Sequence, residues 1–131
     1  MIFFTKLLLL ITASLATSSY TASSEMDDII AALKSGNASQ LARYFDSRVD
    51  ISLPAKSDNY SQRQAEMIMK DFFLQNAVKS FQLKHTGENK DGSQYCTGTL
   101  ITKGGNYRTI LFMKQKGDRQ LLQQLSFQNT D

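Results

Sequence analysis

The sequence predicts an α+β fold in which three amino-terminal helices pack on one face of an antiparallel sheet of four long strands plus a short one. Two observations predict it. Apolar residues recur at helical spacing in three segments before residue 76, and apolar and polar residues alternate in four segments after it, over 79–86, 94–102, 106–114 and 120–128. Hairpin-connected strands supply no crossover helices, so the helices ahead of them must cover the apolar face of the sheet.

In the first helix Met26, Ile29, Ile30 and Leu33 fall at i, i+3, i+4 and i+7, with Ser24 as the cap and Gly36 as the stop. Asn37 caps a short second helix whose apolar side is read as Leu41, Tyr44 and Phe45, ended by Asp46. Val49, Ile51 and Leu53 alternate with Asp50 and Ser52 in the short strand, stopped by Pro54, and a polar loop is expected from there to Asn59. Ser61 and Gln64 form a capping box for the main core helix, which carries Ala65, Ile68, Met69, Phe72 and Phe73 on one stripe to about Gln75.

The period of two then places Phe81, Leu83 and His85 on one face of the first long strand. It sets Tyr95, Thr97, Thr99 and Ile101 against Cys96, Gly98 and Leu100 in the second, and Tyr107, Thr109, Leu111 and Met113 against Arg108, Ile110 and Phe112 in the third. In the fourth, Leu121, Gln123, Leu125 and Phe127 share a face. Gly-containing turns at 87–93, 103–105 and 116–118 join these strands, and Gly98 marks a bend in the sheet.

Composition adds a compartment. Lys6 precedes an apolar run at 7–11 that continues through Ala13, Leu15 and Ala16, the pattern of a signal peptide over 1–22, which leaves one domain at 23–131. The run is too short for a membrane span, and no cysteine follows it to carry a lipid, so an exported chain, periplasmic or secreted, with no stable membrane anchor is expected. The net charge of +3 is spread along the chain without a basic cluster, which argues against nucleic acid as a partner. Cys96 is the only cysteine, so an internal disulfide is excluded. It reads as a small buried hydrophobe, with an intermolecular bridge or a reactive thiol as the alternatives.

This order of elements resembles the nuclear transport factor 2-like, cystatin-like cone. More narrowly, Tyr60-Ser61, Gln64-Ala65-Glu66, Lys70-Asp71-Phe72-Phe73, Phe81, His85 and Gly87 resemble a family of small exported bacterial proteins known as a domain of unknown function. Tyr95, Gly98, Leu100, Thr102, Gly105, Tyr107 and Arg108 continue the likeness. The resemblance implies a cone-shaped curved sheet and leaves activity open, because that superfamily holds enzymes, transport factors and binding domains.

Two readings of function follow. In the first, the domain is a non-enzymatic binder whose cone pocket or sheet face takes a small apolar ligand, a peptide or a protein partner, including a homodimer through the sheet. Phe45, Phe72, Phe73, Phe81, His85, Tyr95 and Tyr107 are its binding residues. A variant of it makes the outer sheet face the working surface toward cell-envelope machinery. In the alternative, the cone is an enzyme with His85, the sole histidine, as general acid or base, oriented by Glu66 or Tyr95. No cofactor motif or nucleophile elbow is present, and Glu25, Asp27 and Asp28 form the only dense acidic group, placed where a helix dipole favours them without a metal.

Overall fold

The computed structural model describes residues 24–130, so the signal peptide expected over 1–22 lies outside the described residues. Three helices, α1 (Glu25–Ser35), α2 (Ala38–Ala42) and α3 (Gln62–Gln75), accompany six strands: β1 (Phe45–Leu53), β2 (Lys56–Ser61), β3 (Val78–Glu88), β4 (Gln94–Thr102), β5 (Gly105–Lys116) and β6 (Arg119–Asn129). The strands form one sheet in the order β2-β1-β6-β5-β4-β3.

The helices begin where the capping residues put them. Ser24 Oγ accepts from the Asp27 amide, Asn37 Oδ1 from the Gln40 amide, and Ser61 forms a reciprocal box with Gln64. Gly36, at φ +63°, turns α1 off in the left-handed conformation that glycine adopts at little cost. Phe72 and Phe73 of α3 lie over the sheet, with Phe72 stacked 4.9 Å from the Phe127 ring of β6 and edge-on at 5.3 Å to Tyr107 of β5. The interior is filled: Ile29, Leu33, Leu41, Met69, Leu100, Leu111, Met113, Leu122 and Phe127 have no exposed surface.

Four expectations are corrected. The sheet has six strands rather than five, because the expected polar loop is the edge strand β2, paired antiparallel with β1 from Arg48↔Ser61 to Leu53↔Lys56. Only Tyr60 of that strand is buried, so it carries no hydrophobic alternation. Cross-strand polar bonds take its place: Arg48 Nε donates to Asn59 Oδ1 at 2.7 Å, and Asn59 Nδ2 donates to Asp50 Oδ1 at 2.7 Å.

The second helix stops at Ala42, and Phe45 and Asp46, expected at its end, open β1. Nor is the sheet wholly antiparallel, since β1 runs parallel to β6. Lastly, bulges break the period of two in both β3 and β6. Leu83 pairs with Gly98 but His85 with Thr97, so Lys84 is the extra residue; Phe112 pairs with Gln124 but Met113 with Leu122, so Gln123 is extra. Each bulge moves all later side chains to the opposite face. Leu122 and Leu125 thereby both point inward, where unbroken alternation would have paired Leu121 with Leu125.

Candidate functional site

The residues singled out from the sequence fall into two groups on opposite sides of the sheet. Phe45, Phe72, Phe73, Phe81 and Tyr107 are all at most 8 % exposed and belong to the core, with one edge of Phe73 also bordering a surface groove beside Gly36, Lys70 and Leu74. Tyr107 donates its hydroxyl to Asn76 Oδ1 at 2.7 Å, and Asn76 Nδ2 donates to the Phe72 carbonyl at 3.0 Å, tying the end of α3 to β5. The Phe81 ring lies over Gly98, where a side chain would collide with it. These aromatics plug the cone.

His85 does not share the face of Phe81 and Leu83. The bulge at Lys84 turns it to the outer face, exposed, beside Thr97. Its Nε2 lies 3.1 Å from the Tyr95 hydroxyl, and the Tyr95 ring covers Gly87, where a β-carbon would strike it. Of the two orienting partners, then, Tyr95 is in place. Glu66 is on α3, in a groove with Ser39, Ala42, Arg43, Gln62 and Arg63, away from the strand that carries His85. The His85–Tyr95 pair is open to water, without the excluded, low-dielectric surroundings in which an acid–base or oxyanion group gains most of its effect.

Cys96 is completely buried in β4, and burial pushes its thiol up to about 11, which keeps it protonated and unreactive at neutral pH. Among the described residues no group of three or more His, Cys, Asp or Glu side chains converges as a metal site, and no helix is long and apolar enough to cross a membrane.

Most of the residues expected to bind lie on the inner face, whereas the fold leaves a different set uncovered outside. Ladder pairing runs His85, Thr97, Ile110, Ser126, Ser52 and Ser57 in one row across the outer face, with Gly87, Tyr95, Phe112, Gln124, Asp50 and Asn59 in the next. Ile110 is 40 % exposed at the centre of that face, with Phe112 and Tyr95 half-buried beside it. The available signal was the partly apolar character of both faces of β4 and β5. A second feature is a groove of about 430 Å³ between α1 and β3, floored by Met26, Ile30 and Leu83.

Comparison with known proteins agrees with this architecture. No curated protein is significantly similar to the chain. A protein of the DUF4783 family from Bacteroides uniformis, solved by crystallography, is 32% identical over 80% of this chain and 96% of its own, with a TM-score of 0.77. One from Bacteroides ovatus is 29% identical over 79% and 94%, with a TM-score of 0.76. An NTF2-like protein of unknown function from Cytophaga hutchinsonii, 10% identical over 78% and 86% with a TM-score of 0.55, shares the fold alone. The family model described as a domain of unknown function, DUF4783, matches residues 26–128. With nearly the whole described region inside that match, the chain belongs to the DUF4783 family and has its nuclear transport factor 2-like fold.

Proposed function

We propose that this protein is an exported, non-enzymatic binding domain, periplasmic or secreted, that works through the outer face of its sheet, with a second copy of itself as the occupant. The observation that carries this reading is the apolar centre of that face, Ile110 with Phe112 and Tyr95, left uncovered while aromatic side chains fill the cone beneath α3. A filled cone disfavours the small apolar ligand inside it, and the His85–Tyr95 pair, the feature on the side of catalysis, is open to water.

The face has the size a dimer needs. Six strands about 4.8 Å apart give a width of about 25 Å, and nine residues at about 3.3 Å give a length of about 30 Å, hence roughly 750 Å². A standard interface buries about 800 Å² per partner. Thr97, Thr99 and Ser126 around the apolar centre fit a polar rim. The amino-terminal pattern of Lys6 and the apolar run supports the compartment.

Sedimentation equilibrium over a concentration series tests the proposal. The chain should associate reversibly, and Ile110→Glu, a charge at an exposed position, should weaken association by about tenfold or more, equivalent to about 1.4 kcal/mol. A chain that stays monomeric throughout, or a variant that associates as well as the parent, would overturn it.

A further inference from the structure

The groove between α1 and β3 has a chemistry of its own, separate from the outer face. Its floor is apolar, from Met26, Ile30 and Leu83, and its rim carries two carboxylates, Asp27 and Glu88, with Gln94 beside them and no Lys or Arg in the lining. Leu83 is 48 % exposed, a large apolar side chain left open on the inner face, where its pairing with Gly98 places it. Among the described residues, neither the Asp27 nor the Glu88 carboxylate accepts a hydrogen bond or an ion pair, whereas neighbouring Asp28 is taken by the Tyr44 hydroxyl at 2.7 Å. An apolar floor under unpaired negative charge favours an aliphatic stem that ends in a cation.

The backbone beside the groove points to the form of that ligand. β3 is the last strand of the sheet, so one of its sides has no strand partner among the described residues, and Thr86, Gly87 and Glu88 line the groove in succession. A free strand edge with adjoining side-chain pockets accepts an extended peptide, whose main chain pairs with the edge while alternate side chains enter the pockets. We propose that this groove binds a short extended peptide segment bearing a lysine or arginine flanked by apolar residues, the basic group meeting Asp27 and Glu88 and an apolar neighbour covering Leu83.

The test is an NMR titration of the isotope-labelled protein with the blocked tripeptide acetyl-Leu-Lys-Leu-amide, set against acetyl-Leu-norleucine-Leu-amide, which keeps the stem and removes the charge. The lysine peptide should shift the amides of Ile30, Leu83, Thr86 and Glu88, and the norleucine peptide should bind about tenfold more weakly. Glu88→Gln, an exposed change, should weaken the lysine peptide by about fivefold and leave the norleucine peptide unaffected. Equal binding of the two peptides would give the groove to a neutral apolar ligand and overturn the proposal, as would shifts confined to the outer sheet face or no shifts at all. Repeating the titration on Ile110→Glu separates this site from self-association, since groove binding should survive in that variant.

Discussion

At Gly98 there is no room for a methyl group. A β-carbon there would run into the Phe81 ring and stand 2.6 Å from the Gln82 carbonyl oxygen, which is backbone and cannot rotate away. Gly98→Ala should therefore cost about 1–3 kcal/mol, read as a lower urea midpoint with an unchanged slope. Gly87 is the useful contrast. The atoms nearest a β-carbon there all belong to the Tyr95 side chain, which can swing outward, so Gly87→Ala should cost less while breaking the His85–Tyr95 hydrogen bond. Glycine at 98 was legible in the sequence as a bend; that its reason is an aromatic ring from the adjacent strand was not, because that neighbour is set by strand register.

At the scale of elements, α3 is fixed at both ends by side chains. Its start rests on the Ser61–Gln64 box and its finish on Asn76, which bridges the Phe72 carbonyl and the Tyr107 hydroxyl. Tyr107→Phe keeps the ring against Phe72 but leaves the buried Asn76 Oδ1 without its donor, and should cost about 1–3 kcal/mol by urea denaturation. The helices were readable one by one, since caps and stripes are local. β2 was not, because an exposed edge strand of Lys, Ser, Asp and Asn has no apolar face to betray it. The bulges at Lys84 and Gln123 escaped for a related reason: an extra residue exists only relative to the partner strand. That single-residue slip moved His85 from the expected pocket to the open face, which is why the catalytic reading lost its setting.

In the whole molecule, Asp46 links chain segments distant in sequence. Its Oδ2 meets Lys116 Nζ at 2.6 Å and accepts from Gln123 Nε2 at 3.1 Å, so one carboxylate at the start of β1 holds β5 and β6. Burial opposes ionisation there, but the bonds from Lys116, Gln123 and the Ser47 amide outweigh it and hold the carboxyl below its ordinary value of 3.8. A folded-state value below the unfolded one gives stability that is present above 3.8 and lost as pH falls through the depressed value. Asp46→Asn should thus destabilise the protein by about 1–3 kcal/mol at neutral pH, with the gap to the parent closing as the pH falls below the ordinary carboxyl value of 3.8 in thermal melts taken across the acid range. Lys116→Ala should cost less, because half-exposed Lys116 is screened by water.

The sequence by itself determined the class of fold, the three helix starts, the four long strands and the family resemblance, since each rests on residues close together in the chain. Tertiary structure decided the sixth strand, the parallel seat of β1 beside β6, and which face each candidate residue occupies. Those depend on which strands meet and where one carries a residue more than its neighbour, and side-chain direction in a sheet reverses with every such residue.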